Sequence, residues 1–375
     1  MPSNAQRRVV HVTTVHHPSD PRIFHKQLAS LRDAGYDAHL IAPHEHDEEV
    51  QGISIHALPR PETRWHRFAL QPQAARTAWA LDAALYQVHD PELLPLAFLL
   101  KQTTAATVVY DMHENYRAKG ALLGRGLRAL ERWAFRWIDH VLIAEESYRS
   151  VLKGHSVPNT YIANYFRPIG DEAGNGAVEI SPPPTRLLYT GTLSDSRGLR
   201  TMVDLAARIR RARRPETIEL VGVCHREGQR ARAEERIRTE GLGDIIERTG
   251  WDTYVPPSSM PPHYHRADVG LALCEPHPNH TRSLLTKFFE YLHHGLPLIC
   301  SDFPLWRRFV EEHECGAVVP PGAPDAVLDV LDTWRAHPER YRQCAENARA
   351  AAPQYRWETM GKRLVDRYER LLSAS

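Results

Sequence analysis

The 375-residue sequence has almost no net charge, because 47 Lys and Arg residues balance 46 Asp and Glu residues to leave +1. Without a basic excess, the composition predicts no general nucleic-acid-binding surface. The longest apolar runs, such as residues 93–100, include a proline and are too short to span a bilayer. The polar segment 1–8 leads directly into a strand, so we expect no signal peptide.

Cysteine is also scarce, with five residues that form no close pairs. An odd number without framework spacing predicts reduced thiols and a cytoplasmic protein. Histidine is abundant instead, with 22 residues that include the pairs 16–17 and 293–294. None of them has a Cys partner or the His-Glu-x-x-His spacing of a zinc helix, so we predict no metal site.

The loop after the first strand lacks glycine, since it reads His-His-Pro-Ser-Asp over residues 16–20. The one match to the dinucleotide-binding pattern, Gly-Arg-Gly-Leu-Arg-Ala over residues 124–129, lies in an Arg-rich helical stretch and follows no strand. A dinucleotide site needs its glycines between a strand and a helix. The sequence therefore argues against a nicotinamide-dependent dehydrogenase.

The chain begins with alternating strands and helices, which is the pattern of a parallel α/β sheet. A buried strand at residues 9–15 precedes a helix at 23–34 and a second strand at 38–42. Five further strands are predicted before residue 165, at 53–57, 85–89, 107–110, 140–144 and 159–163.

A second half of the same kind follows a segment rich in Gly and Pro. Residues 166–184 have no periodicity and predict a linker between domains. We predict an N-terminal domain of residues 1–165, a C-terminal domain of residues 185–352 and a final helix within residues 353–375. The elements predicted in the second half are strands at 186–191, 217–223, 245–249, 269–273 and 298–301 and helices at 199–212 and 231–240.

The most informative segment is residues 286–302, which reads as an amphipathic helix, a Gly-Leu-Pro stop and a buried strand. A helix N-terminus presents unpaired N–H groups and the positive end of a dipole, which suit a diphosphate. Lys287 adds a cation there, and Glu290 can accept hydrogen bonds from a diol such as ribose. An ordinary helix with a solvated Lys and Glu is the alternative.

This segment resembles the nucleotide-sugar site of glycosyltransferase family 4, and the resemblance extends from the loop after the first strand to the terminal helix. It implies the GT-B fold: two Rossmann-like domains facing a cleft, with the C-terminal helix returning to the N-terminal domain. It also implies retention of anomeric configuration, no metal and no cofactor beyond the nucleoside diphosphate sugar as co-substrate. Its most specific part is Lys287–Asp302.

The resemblance also assigns the donor site. Gly191 and Arg197 match the family's glycine-plus-basic loop, although Thr192 stands where many relatives carry another Arg. Many relatives have a Glu eight positions before the residue that matches Glu290, and this chain has Arg282 there. The donor-binding residues implied are Gly191, Arg197, Arg282, Leu284, Leu285, Thr286, Lys287 and Glu290, with Arg197 and Lys287 also acting in catalysis.

In the N-terminal domain, the strand end Tyr110–Glu114 matches the place where the family has a histidine near the reacting sugar carbon, which makes His113 the third catalytic candidate. The loops at 16–22 and 89–92 resemble a subgroup of the family. The acceptor-binding residues implied are His17, Asp20, Arg22, Asp90, Asp111 and Glu114. Helix capping by Ser19 or Asp20 is the alternative for the first loop.

The sequence thus predicts a hexosyltransferase of surface polysaccharide or glycolipid synthesis that binds a nucleotide sugar and a carbohydrate or lipid-linked acceptor. A nucleotide-sugar epimerase of the same fold and a non-catalytic nucleotide-sugar-binding protein are the alternatives. The Arg- and Trp-rich stretch 122–137 is typical of a peripheral membrane contact at the inner face of the membrane, or of ordinary core. Sugar, base and acceptor stay open.

Overall fold

The computed structural model describes residues 7–113, 121–168 and 182–374. The chain forms two compact units: residues 1–167 with 357–375, and residues 168–356. Within the described residues, no helix is long and apolar enough to cross a membrane. All five cysteines are free thiols.

The first unit is built on an eight-stranded sheet in the order β3-β4-β2-β1-β5-β6-β7-β8. Its strands pair in parallel except for the antiparallel pair of β3 and β4. The strands are β1 Arg8–Val12, β2 Asp37–Pro43, β3 Glu48–Val50, β4 Ile53–Leu58, β5 Leu85–Val88, β6 Thr107–Met112, β7 His140–Ile143 and β8 Asn159–Tyr161. The predicted parallel sheet is confirmed, and only the short β3 was missed.

In the described part of the first unit, six α-helices connect these strands: α1 Ala29–Asp33, α2 Arg64–Ala69, α3 Gln71–Leu81, α4 Leu94–Thr103, α5 Ala121–Ala134 and α6 Arg149–Leu152. The predicted helix at 23–34 has a π-helical first part, Ile23–Leu28, which continues into α1. Only alanines (Ala74, Ala75 and Ala78) form the buried stripe of α3, which is a weak hydrophobic signal.

Successive residues of each central strand enter different cores, because strand side chains alternate between the two faces of a sheet. In β6, Val108 and Tyr110 belong to one cluster while Val109 belongs to the other. Both faces are covered, which explains why these strands read as nearly continuous apolar runs.

The second unit has a six-stranded, all-parallel sheet in the order β11-β10-β9-β12-β13-β14. Its strands are β9 Arg186–Thr190, β10 Thr217–Val223, β11 Ile246–Trp251, β12 Val269–Ala272, β13 Leu298–Ser301 and β14 Gly316–Val319. Its helices are α7 Leu199–Arg211, α8 Glu227–Thr239, α9 Pro261–Arg266, α10 Pro278–Thr281, α11 Thr286–His294, α12 Pro304–His313, α13 Pro324–Ala336 and α14 Pro338–Ala351.

The last helix, α15 Trp357–Ser373, packs on the first unit. Its predicted apolar stripe is buried there: Met360, Leu364 and Tyr368 are at most 3 % exposed. The Trp357 indole donates to Ser30 Oγ at 2.8 Å. The predicted return of the C-terminal helix to the N-terminal domain is confirmed.

Each sheet reverses its strand order at one point, between β1 and β5 in the first unit and between β9 and β12 in the second. Ligands of open α/β sheets bind outside the carboxyl ends of the strands at such a reversal. The loops that follow β1 and β5, and those that follow β9 and β12, therefore mark the expected site of each unit.

Candidate active site

The loop after β9 comes close to the backbone at the end of β12. Gly198 ends this loop with φ +86°, and a Cβ at that position would lie 2.0 Å from the carbonyl oxygen of Leu273. Only glycine fits such an approach. Gly191, with φ +102°, faces open space instead, so its backbone is accessible to a ligand.

Lys287 is the most unusual charged group of the second unit. It is 4 % exposed, and its Nζ has no hydrogen-bond partner within the described part of the chain. The ammonium lies 3.4 Å from the centre of the Tyr189 ring. Burial, with the nearby charge of Arg197, lowers the pKa of Lys287 from its ordinary 10.5 to about 7. A buried, unpaired ammonium favours an anionic ligand strongly.

Arg197 belongs to the same group of charges. It lies in a short helical turn after β9. Burial lowers the pKa of the His280 imidazole to about 4, and the charge of Arg197 contributes to this shift. His280 is 5 % exposed and bonded through Nδ1 to the carbonyl of Glu275. Arg197, Lys287 and neutral His280 thus surround one region after β9 and β12.

The N-terminus of α11 adds backbone donors to this region. Its first residue, Thr286, follows Leu285, whose side chain makes no capping hydrogen bond. The predicted apolar face is buried, since Phe288, Tyr291 and Leu292 are at most 1 % exposed, and Gly295 ends the helix with φ +69°. The free N–H groups near Leu284, Leu285 and Thr286 fit an anion. The predicted donor residue Arg282 is exposed.

Glu290 lies one turn into α11 and is partly exposed, and only one oxygen of its carboxylate is hydrogen-bonded within the described residues. Oε2 accepts hydrogen bonds from Tyr264 Oη at 2.8 Å and from Thr190 Oγ1 at 3.5 Å. Among the described residues, no hydrogen bond reaches Oε1. Tyr264 and Tyr189 were not identified from sequence, because Tyr189 lies in a short apolar strand and Tyr264 lies between two histidines, and neither belongs to a motif.

The first unit brings Asp111 into a buried ion-pair network. The Arg22 guanidinium forms a bidentate ion pair with the Asp111 carboxylate, with N···O distances of 2.7 and 2.9 Å. Gln27 and His89 also hydrogen-bond to this carboxylate. Burial alone raises the pKa of Asp111, but Arg22 and the hydrogen bonds from His113 and His89 hold it well below its usual value. Asp111 is therefore a permanent anion.

The same network extends to the terminal helix. His89 Nε2 lies 3.0 Å from His11 Nδ1, and His11 Nε2 lies 3.0 Å from Tyr368 Oη. Burial lowers the pKa of both histidines, so both imidazoles are neutral near pH 7. This series of hydrogen bonds was not predicted from the sequence, because no motif links β1 to α15.

His113 is attached to the edge of this network at the end of β6. Its Nδ1 lies 3.1 Å from the Asp111 carbonyl and 3.4 Å from its carboxylate, and its Nε2 lies 3.0 Å from His16 Nε2. His16 in turn contacts Asp20 at 3.2 Å. The ring of His113 is thus fixed on both sides, and its side chain keeps 9 % exposure.

The other predicted acceptor residues differ in burial. Arg22 and Asp111 are nearly or fully buried, as is Asp90, which accepts from Thr13 Oγ1 and the Thr14 N–H. His17 is exposed. Glu114 lies outside the described residues.

Asp20 makes the helix-capping contacts that were one of the two alternatives for the first loop. Its Oδ1 accepts from the N–H groups of Arg22 and Ile23, so it stabilises the helix start. Its Oδ2 contacts His16.

Two groups of side chains within the described residues have metal-ligand spacing. In one of them, His89, Asp111 and His113, the carboxylate is already paired with the Arg22 guanidinium, which disfavours a second cation. In the other, His44, His46 and Glu48, a 2.6 Å hydrogen bond joins His44 Nε2 to Glu48. A metal ion would have to displace that bond.

Comparisons with known proteins agree with this arrangement. Residues 21–164 match the family model of the glycosyl transferase 4-like domain, and residues 184–334 match that of glycosyl transferases group 1. A search of curated protein sequences found no significant match.

Solved structures show the same fold at low identity. Sucrose-phosphate synthase from Thermosynechococcus elongatus is 17 % identical, with a TM-score of 0.75 over 98 % of this chain and 100 % of that chain. Anabaena HepE in complex with UDP and glucose is 14 % identical, with a TM-score of 0.73 over 97 % and 100 %. The catalytic domain of Arabidopsis thaliana starch synthase IV bound to ADP and acarbose is 12 % identical, with a TM-score of 0.66 over 96 % and 99 %.

Proposed function

The chain belongs to the glycosyltransferases with a 4-like N-terminal domain and a group 1 C-terminal domain, and from this premise we propose that it transfers a hexose from a nucleoside diphosphate sugar to an acceptor hydroxyl with retention of configuration. The buried ammonium of Lys287, which has no hydrogen-bond partner among the residues that the structure describes, is the observation that carries the proposal. HepE binds UDP and starch synthase IV binds ADP in their solved structures, which makes a nucleotide the natural candidate for that anion.

In the proposal, the diphosphate lies between Lys287, Arg197 and the N-terminus of α11. Charge-assisted hydrogen bonds from these groups neutralise the phosphate oxygens. The ribose hydroxyls donate to Glu290, whose Oε1 is open for them. Gly191, with its accessible backbone, borders the same space, and exposed Arg282 supplies a further cation near the sugar.

The reaction breaks the bond between the anomeric carbon and the phosphate oxygen and forms a bond from that carbon to the acceptor oxygen on the same face. The acceptor hydroxyl gives its proton to the departing phosphate oxygen, so the diphosphate acts as both leaving group and base. Lys287 and Arg197 stabilise the negative charge that builds up on this oxygen as the bond breaks, which is the main electrostatic contribution to the rate.

His113 acts on the sugar side of the proposed reaction. Its contact with His16 leaves one of the two facing Nε2 atoms as donor and the other as acceptor. To act on the sugar, the imidazole gives up its Nε2 contact with His16 and hydrogen-bonds a sugar hydroxyl beside the reacting carbon through that nitrogen. Buried Arg22, Asp90 and Asp111 hold His16 and His113 in place, while Asp20 and exposed His17 face the acceptor.

The acceptor in this proposal is a growing surface polysaccharide or its lipid-linked precursor. The support is the resemblance of the loops at 16–22 and 89–92 to one subgroup, which is an analogy of fold and motif. Three large apolar side chains of the first unit, Phe68, Trp79 and Leu99, are 39–44 % exposed and suit a peripheral membrane contact.

A two-stage experiment tests the proposal. A thermal-shift screen with UDP-, GDP- and ADP-sugars identifies the donor through the melting-temperature increase that ligand binding produces. Release of free nucleotide is then followed with and without candidate acceptors. Transfer predicts acceptor-dependent release together with a glycosylated product; a protein that binds donor without any turnover, or that converts the donor to an epimer, would contradict it.

A further inference from the structure

The carboxylate of Glu290 is held by a residue outside the predicted donor site. Tyr264 lies in the short helix α9, is 3 % exposed, and donates through its Oη to Glu290 Oε2 at 2.8 Å. Burial and the neighbouring Glu290 charge raise the pKa of Tyr264 well above 10, so the hydroxyl keeps its proton. It is therefore a donor at all working pH values.

The ring of Tyr264 is itself fixed in place. It stacks on the His294 imidazole with ring centres 4.3 Å apart and planes 12° apart, and its edge meets Tyr291 at 6.3 Å. His294 and Tyr291 lie on the same helix as Glu290, α11. A side chain packed this closely loses little further entropy when it orients a neighbour.

Both donors to Glu290 approach the same oxygen, since Thr190 Oγ1 also reaches Oε2, at 3.5 Å. A carboxylate held through one oxygen presents the other in a fixed direction, and the two lone pairs of Oε1 remain for a diol. The side chain is only partly buried, so this oxygen is within reach of a ligand.

We propose that Tyr264 is a positioning residue that sets the direction of Glu290 Oε1 and thereby selects nucleotides that carry ribose hydroxyls. The inference rests on the proposed function, because it assumes that Glu290 receives the ribose. It adds a residue, Tyr264, and a specificity: ribonucleotides bind better than their dideoxy analogues, and Tyr264 supplies part of that difference.

The test measures the affinity of Tyr264→Phe by calorimetry for two probes. One is whichever of UDP, GDP and ADP binds the wild type, and the other is the 2′,3′-dideoxy analogue of that nucleotide. Tyr264 does not touch the nucleotide in this proposal, so its loss weakens the ribose contact only in part, by an amount comparable to one ordinary hydrogen bond, or roughly a 2- to 12-fold change. We therefore expect Tyr264→Phe to weaken binding of the parent nucleotide about fivefold and binding of the dideoxy analogue less than twofold.

Two further variants separate positioning from a structural role. Tyr341→Phe removes an equally buried hydroxyl of the same unit, which donates to the Asp268 carbonyl at 2.9 Å and does not touch Glu290. It should change neither affinity. In a Glu290→Ala background, Tyr264→Phe should have no further effect on the parent nucleotide, because the residue it orients is missing.

The outcomes distinguish this inference from the function it rests on. If Tyr264→Phe weakens binding of both probes equally, or weakens binding of neither, the positioning role is overturned. Nucleotide binding by the wild type then still stands. A wild type that binds none of the three nucleotides overturns the proposed function and this inference together. Calorimetry gives the affinity of the folded fraction, so a variant that is partly unfolded still yields an answer.

Discussion

Replacement of Lys287 by Met should stabilise the unliganded protein and weaken nucleotide binding. Met has a similar length and no charge, so it fills the site beside the Tyr189 ring without a desolvated ammonium. The fall of the Lys287 pKa from 10.5 to about 7 corresponds to about 5 kcal/mol of unfavourable burial of the charged form. The contact with the Tyr189 ring offsets part of it, and we expect a gain of about 1–3 kcal/mol.

The gain should depend on pH in a defined direction. Above about pH 7 the folded protein releases the Lys287 proton, whereas the unfolded chain keeps it up to about pH 10.5. The unfolded state therefore binds more protons in this interval, and the Lys287 contribution to the free energy of unfolding rises with pH. The advantage of Lys287→Met is largest at or below pH 7 and disappears towards pH 10.

Nucleotide affinity should change with pH in the opposite sense. The diphosphate binds the charged form of Lys287, so the wild type should bind a nucleotide sugar more weakly as the pH rises above 7, and binding there should take up a proton. A charge-assisted hydrogen bond is worth roughly 1.5–3 kcal/mol, so Lys287→Met should lose about tenfold or more in affinity and its affinity should no longer depend on pH over this range.

Urea unfolding at several pH values and calorimetry in two buffers of different ionisation enthalpy measure these effects. Lys101→Met is the matched control, since Lys101 is partly exposed and paired with Asp139 at 2.7 Å. It should give neither a gain in stability nor a change in nucleotide affinity. A Lys287→Met protein that is less stable than the wild type at pH 7 and binds the nucleotide sugar normally would refute the reasoning, because Lys287 would then have an ordinary structural role.

Three further predictions concern the other proposed groups. Arg197→Ala should weaken nucleotide binding about tenfold or more, measured by calorimetry, and unchanged UDP, GDP and ADP affinity would remove Arg197 from the donor site. Transfer should persist in EDTA, and activity that vanishes with the chelator and returns with manganese or magnesium would contradict a metal-free mechanism. His113→Ala should fold and keep its nucleotide affinity but lose roughly 100-fold or more in turnover, the scale of one electrostatic stabiliser, and near-normal product formation or a collapsed melting temperature would return His113 to a structural role.

Periodicity predicted the fold well because the strands of both sheets are covered on both faces. Apolar runs such as those of β6 and β13 then stand out from their surroundings, and β13 begins and ends where the sequence placed it, at Leu298 and Ser301. Several elements were not predicted, among them β14 and the helices α12, α13 and α14, and two others have weaker signals. β3 has three residues with two glutamates, and α3 buries only alanines, so neither carries an apolar pattern strong enough to detect.

The site could be predicted only where a motif lies within one segment. Lys287, Glu290 and the helix start fall within five residues, so their proximity followed from helical spacing alone. Tyr264 precedes Glu290 by 26 residues, and Tyr368 follows His11 by 357. Such pairs are formed by the packing of helices on a sheet, which a single sequence does not specify.

Hydrogen-bond partners separate two basic residues that the sequence assigned to ligand binding, Arg22 to the acceptor and Lys287 to the donor. Arg22 and Lys287 are both buried cations beside strand-end loops, at 4 % exposure each. The Arg22 guanidinium has Asp111 and the Ile162 carbonyl as partners, so its charge and its donors are already satisfied. Lys287 Nζ has no hydrogen bond within the described residues, and the protein tolerates the cost.

A satisfied buried cation stabilises its own fold, whereas an unsatisfied one gains most when an anion arrives. From this difference we propose that the second unit supplies ligand affinity and that the network of the first unit supplies rigid positioning. Substitution separates these roles, since Arg22→Met would leave the Asp111 carboxylate buried without its counter-ion and should destabilise the protein, by about 3–5 kcal/mol for a broken buried pair. The same change at Lys287 should stabilise it.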